Sequence, residues 1–148
     1  MCDAAATSPM TALDDIAETL ELFDDWEQRY AYLVELGERL PRMPAELKSE
    51  ENRVKGCMSR VWVSAYSDQA QPHIIHFHGD CDTSIIKGVL ALLIQLTDGR
   101  TAQQIQQLDI EHFFSRLKLD QHLSPSRHFG VYAIVELMKQ QAAQHQTR

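Results

Sequence analysis

The stretch Val61-Trp62-Val63-Ser64-Ala65-Tyr66-Ser67, followed after a polar turn by His73-Ile74-Ile75-His76-Phe77-His78-Gly79, decides how this chain is read. In the first segment Val61, Val63 and Ala65 alternate with Trp62, Ser64 and Tyr66. That two-residue period, carried by β-branched and aromatic side chains, predicts a strand with one buried face. In the second segment Ile75 and Phe77 alternate with His76 and His78, and Ser67 to Pro72 supplies the turn between them. The pair is expected to form an antiparallel hairpin. A short strand at Asn52 to Lys55, just before Gly56, is expected to complete a sheet of about three strands.

Outward from the hairpin the period changes. From Ser84 to Thr97, Ile85, Ile86, Val89, Leu90, Leu92, Leu93, Ile94 and Leu96 cover nearly the whole circumference of a helix. A helix apolar on all sides is a buried one, so this is the expected central element, closed by Asp98-Gly99. Upstream, Leu13, Ile16, Ala17, Leu20 and Phe23 recur at helical spacing after Thr11, the expected N-cap. Trp26, Tyr30, Leu33, Val34, Gly37 and Leu40 form a second stripe, capped by Asp24 or Asp25 and stopped by Pro41 and Pro44. Downstream, Thr101 to Leu108 and Asp109 to Leu117 read as two short helices. A last helix opens with Ser124 as N-cap and Pro125 at its first position, with Val131, Ile134, Val135 and Met138 inward. Two helices, a hairpin and four helices, without βαβ alternation, predict an α+β fold with a small antiparallel sheet packed against helices.

Composition narrows the function. A chain of 148 residues is the size of one domain. Residues 1–148 are therefore expected to be a single domain, with 1–10 and the polar run 140–148 as flexible tails. The 21 acidic residues outnumber the 14 basic ones, giving a net charge of −7. A dominant nucleic-acid surface needs a basic excess, so no nucleic-acid partner is expected. The longest aliphatic run, Val89 to Ile94, is far too short to span a bilayer. The first basic residue is Arg29, which fits neither a secretory nor a transit leader, and a cytoplasmic location is expected. The three cysteines, Cys2, Cys57 and Cys81, form no CxxC pair and are expected as free thiols.

Cys57 is the first chemical candidate. It follows Gly56, where the chain can turn sharply, at the edge of a strand. Arg53, Lys55 and Arg60 bring positive charge close in sequence, and nearby cations favour the nucleophilic thiolate. The competing reading is a small buried hydrophobe, the commoner fate of a free cysteine. His73, His76, His78 and Cys81 are spaced as a tempting metal set. Strand alternation, however, puts His76 and His78 on one face and His73 on the other, short of a closed site, and no metal is expected. Arg127 falls at the third position of the last helix, where a cation opposes the helix dipole, so another contact is expected to hold it: an ion pair with Asp80 or Asp82, or a partner. Asp80 and Asp82 precede the central helix, and either carboxylate could cap it.

The run Asn52-Arg53-Val54-Lys55-Gly56-Cys57-Met58-Ser59-Arg60-Val61-Trp62 closely resembles the cysteine loop of the SufE family. Further segments match in order: Trp26 to Pro41, Gly79-Asp80-Cys81-Asp82 with Ile86-Lys87-Gly88-Val89-Leu90, and Gln121-His122-Leu123-Ser124-Pro125-Ser126-Arg127 with Gly130. The likeness runs from about Trp26 to Met138, in details nearer SufE than its relative CsdE. The resemblance implies an α+β fold similar to that of IscU-type scaffolds. It implies that Cys57 is the catalytic residue, accepting persulfide sulfur from a pyridoxal-phosphate cysteine desulfurase of the SufS or CsdA kind. The carrier would stimulate that enzyme and deliver the sulfur to an iron–sulfur scaffold complex, with no cofactor of its own. It further implies that the loop is sheltered at rest and swings out on docking. Lys55 and Gly56 would belong to the loop's support, and Arg127 and Asp82 would support it or face the partner. Cys81 stands where the family usually has Ser, and Met58 where it usually has Gln. Two alternatives remain beside the sulfur carrier: a metal- or cluster-binding scaffold using Cys57, Cys81 and the histidines, and a regulator that docks on the desulfurase without using its thiol.

Overall fold

A computed structural model describes residues 9–146, so Cys2 and the first eight residues of the expected N-terminal tail lie outside the described residues. Helix α1 spans Pro9–Glu21 and α2 spans Trp26–Glu38. The hairpin follows as β1, Val61–Ser67, and β2, Ile74–Cys81. Next come α3, Ser84–Thr97; β3, Arg100–Thr101; α4, Ala102–Gln106; α5, Ile110–Leu117; and α6, Pro125–Gln146. This is the α+β arrangement expected, with a three-stranded antiparallel sheet in the order β1-β2-β3.

The hairpin register pairs Val61 with Cys81, Val63 with Gly79 and Ala65 with Phe77. Side chains alternate across a strand, so these residues share the face that packs on α3. Helix α3 is buried nearly all round, as its composition requires, with Val89, Leu90, Leu93 and Leu96 fully enclosed. It lies against α2 so closely that a Cβ on Gly88 would stand 2.1 Å from the Leu33 carbonyl oxygen. Asp25 caps α2 by accepting from the Gln28 N–H, and Gly99, at φ +79°, turns the chain out of α3.

Four local expectations need correction. Helix α1 begins at Pro9, two residues ahead of Thr11. The third strand is Arg100–Thr101, paired with Ile74 and Ile75, and not Asn52 to Lys55. The latter segment touches β1 through one isolated bridge, Arg53 to Trp62, with the Val54 N–H donating to the Val61 carbonyl at 2.8 Å. Gly56, at φ +87°, then bends the chain away before a ladder can extend. Neither Asp80 nor Asp82 caps α3, whose N-cap residue Thr83 makes no side-chain cap bond. Finally, the polar run from Gln140 is helix as far as Gln146, because its inward face finds partners: Ala142 is fully buried, and Gln141 and His145 bond β1.

Those bonds finish the outer edge of the sheet. An edge strand leaves unpaired backbone groups that must be covered. Here the Gln141 amide accepts from the Ala65 N–H at 2.9 Å and donates to the Val63 carbonyl at 2.9 Å, and His145 Nε2 meets the Ala65 carbonyl at 3.0 Å. The Val63 N–H donates to the Asn52 carbonyl at 3.0 Å. Among the described residues no helix is long and apolar enough to cross a membrane.

Candidate functional site: a sheltered thiol on a glycine hinge

Val54 is buried and fastened to β1, so the chain is fixed just upstream of the cysteine. Gly56 sits in the left-handed region that disfavours any side chain, and this turn sends Cys57 inward toward α6. The thiol comes to rest against Gly130, where an added Cβ would lie 2.7 Å from Sγ. Downstream, the chain is clipped to the β2–α3 junction. Ser59 Oγ and Thr83 Oγ1 are hydrogen-bonded at 2.6 Å, the Arg60 N–H donates to the Asp82 carboxylate at 3.0 Å, and the Asp82 N–H donates to the Arg60 carbonyl at 3.1 Å. A cavity of about 320 Å³ opens beside the sulfur, lined by Cys57, Ser59, Asp82, Thr83, Ile86 and Arg127 among others. Met58 next to the thiol is 86% exposed.

The electrostatics differ from expectation. The Cys57 thiol is held above its ordinary pKa: burial is the main cause and Asp82 adds to it, while an N–H from Ser59 pulls the other way. The causes of the shift include none of the cations near in sequence. Lys55 turns outward to the carboxylate and backbone carbonyl of Glu50, and that pairing lowers the Glu50 pKa instead. Adjacency of Lys55 in sequence did not become adjacency in space, and burial disfavours the thiolate at rest.

Arg127 occupies the expected helical position, its N–H donating to Ser124 Oγ at 3.4 Å. It lines the cavity with Cys57, as does Asp82. The ion pair with Asp80 or Asp82 is not made. Asp80 lies between Lys48 at 2.6 Å and Lys87 at 3.1 Å, and the Asp82 carboxylate accepts from the Arg60 N–H and from the Thr83 hydroxyl at 3.2 Å. Among the described residues Arg127 is exposed and makes no ion pair.

Cys81 is 6% exposed at the end of β2, its Sγ accepting from the Thr83 N–H at 3.4 Å. Its thiol is pushed up to about 11, chiefly by burial, with Asp82, Cys57 and Asp80 adding to the shift. The histidines do not converge with it. His76 is bracketed by Asp68 at 2.8 Å and Asp98 at 2.9 Å, His78 stacks on Tyr66, and His73 precedes the strand. Among the described residues no group of three His, Cys, Asp or Glu side chains could hold a metal ion.

Gly130 is the site residue whose role sequence reasoning missed. A signal was present: glycine inside a helix costs about 1 kcal/mol relative to alanine, so one at the sixth position of α6 calls for a close neighbour.

The chain is an α+β protein in which helices cover a three-stranded antiparallel sheet and a loop after Gly56 carries a half-buried thiol. Residues 14–142 match the family model of SufE, described as an Fe-S metabolism associated domain. The chain belongs to the SufE family. It is 34% identical over 134 residues to an uncharacterised SufE-like protein of Rhizobium meliloti, covering 90% of this chain and 96% of that one. A second uncharacterised SufE-like protein, of Rhizobium etli, is 36% identical over 134 residues, with 90% of each chain covered. Among solved structures, a hypothetical protein from Thermus thermophilus superposes with a TM-score of 0.75 over 92% of this chain and 96% of that one, at 19% identity, a likeness of fold.

Proposed function

We propose that this protein is a sulfur acceptor and carrier in iron–sulfur metabolism, with Cys57 as the accepting residue. A cysteine desulfurase, itself a pyridoxal-phosphate enzyme, presents a persulfide. The Cys57 thiolate attacks its outer sulfur, the bond between the two donor sulfurs breaks, and the donor cysteine leaves as a thiolate. The product, Cys57–S–SH, travels to a scaffold complex that assembles the cluster. The exchange consumes no oxidant and needs no metal or cofactor on the carrier.

The observation that carries this reading is the seat of the thiol. Sγ rests against Gly130, half-buried, in a loop between a glycine hinge and a set of polar clips. A carried persulfide is easily oxidised or reduced, and such a seat shelters it between partners. The same burial disfavours the thiolate at rest. Outward movement of residues 55–58 removes that burial and lowers the pKa, so the nucleophile forms where the donor is met. Arg127 and Asp82 line the cavity beside the sulfur, which supports a part for them in meeting the partner or steadying the loop.

Incubation with a desulfurase and cysteine, followed by intact-mass measurement, tests the reading. The wild type is expected to gain sulfur on Cys57, and Cys57→Ser to gain none. Equal gain by both proteins overturns the proposal. Full stimulation of the desulfurase by Cys57→Ser, without sulfur gain, would make the protein a docking regulator instead.

A further inference from the structure

Two thiols stand at one end of the sheet, and they differ in access. Cys57 is half-buried in a loop, residues 55–60, that forms neither helix nor strand. Cys81 is 6% exposed and fixed in the ladder opposite Val61. Just beyond each cysteine the two segments are joined: Ser59 to Thr83 by their hydroxyls, and Arg60 to Asp82 by two hydrogen bonds. These links bring the chain around Cys57 to the strand end that carries Cys81. The thiols are within electrostatic reach of each other. Both pack on the same core cluster.

The geometry also gives an order of events. A reagent in solution meets Cys57 first, because Cys81 is shielded by the fold. Once Cys57 is capped, the other thiol among the described residues is Cys81, and the second exchange is intramolecular, at a high effective concentration. A disulfide requires the two Cα atoms to come within about 7 Å. The moving partner is the loop, turning on Gly56, while the β2 ladder holds Cys81 in place.

We propose that Cys81 is the resolving thiol of Cys57, so that a low-molecular-weight disulfide drives the pair to an internal Cys57–Cys81 disulfide. In the first step the Cys57 thiolate attacks the small disulfide; a mixed disulfide forms and one small thiolate leaves. In the second step Cys81 gives up its proton and attacks Cys57 Sγ. The internal S–S bond forms, and the second small thiolate departs and is protonated. Two protein thiols are oxidised and one small disulfide is reduced to two thiols, so electrons balance. The closed form has no thiol left to accept cargo, is protected from irreversible oxidation, and reopens with a dithiol.

Oxidised glutathione is the probe, applied at roughly pH 8, near the ordinary thiol pKa. The protein carries Cys2→Ser, leaving Cys57 and Cys81 as its cysteines. Acid quenching and peptide mapping by mass spectrometry then read the products. The expected result is a peptide pair linked through Cys57 and Cys81, with little retained glutathione. Adding Cys81→Ser should stop the reaction at the glutathione adduct on Cys57, about tenfold or more above its level in the parent. Cys81→Ala checks that result in a second background, and the linkage map of the parent needs no Cys81 variant. A parent that retains glutathione on Cys57 as fully as Cys81→Ser does, a linkage only between chains, or no reaction at Cys57 overturns the proposal. No desulfurase is present, so failure here leaves the sulfur-acceptor reading standing, and failure of that reading leaves this result unaffected.

Discussion

At the turn end of the β1–β2 hairpin, the Asp68 carboxylate accepts from the N–H groups of Ala70 and Gln71, both at 3.0 Å, and also meets His76. Asp98, at the end of α3, holds the other nitrogen of His76 and accepts from the Phe77 N–H at 3.0 Å. At the opposite end of the same two strands, polar bonds hold residues 59–60 to 82–83, Val54 to Val61, and Asp80 to Lys48 and Lys87. Residues 56–58 rest on α6 through packing of the thiol against a glycine. One hairpin thus has a turn end fixed by directional bonds and, at its other end, beside neighbours that are also bonded, a short segment held mainly by shape. Directional bonds specify one geometry; a van der Waals seat with no side chain beneath it can be left and re-entered at little cost. Cys57, the proposed acceptor, sits in that segment.

Filling the seat tests this contrast most strongly. Gly130→Ala places a methyl group 2.7 Å from Sγ, too close for both to stay, and the loop, outside helix and strand, is expected to give way. Cys57 should become more exposed, and its alkylation by iodoacetamide should accelerate, on the order of tenfold, as the burial that disfavours the thiolate is lifted. Thermal stability should change by only about 1 kcal/mol, since alanine favours the helix while the displaced loop costs packing. Unchanged alkylation with a large loss of stability would mean that this end is as rigid as the other.

The turn end should answer to pH. The His76 pKa is raised above 6.5, first by its hydrogen bond to Asp98 and then by Asp68, against burial that lowers it. A raised folded-state pKa means that the bracket contributes its full stability below the unfolded value and loses it as pH rises through the folded one. Stability measured by urea unfolding should therefore fall as pH rises from about 6.5 through the raised folded value, by at most about 1 kcal/mol for so solvent-accessible a set. His76→Gln should flatten that slope. A slope that persists in the variant would remove His76 as its source. The smallest expected effect is at Lys55. Because its ammonium is engaged by Glu50, Lys55→Ala should leave the alkylation rate of Cys57 as it is. A marked slowing would show that the lysine does act on the thiol.

Much of this was legible in the sequence. The alternation of Val61, Val63 and Ala65 against Trp62 and Tyr66 placed the hairpin, and the all-round apolar helix placed the centre, because burial writes its period directly into residue type. The pairing of Arg100 with Ile75 was not legible, since a two-residue strand carries no period. Cys57 stood out through Gly56 and the family resemblance. The direction of Lys55 did not, because spacing along a chain says nothing about where a long, flexible side chain turns. The extent of α6 was missed for a related reason. Gln141 looks like a tail residue, and its value lies in a backbone edge that only the folded sheet creates.

That glutamine has a consequence for how copies of the chain meet. Its amide imitates a neighbouring strand, taking the hydrogen bonds at Val63 and Ala65 that a second molecule would otherwise seek. Shortening α6 before this residue would turn the sheet margin into an adhesive strip, and the cost would be paid in self-association as well as in folding.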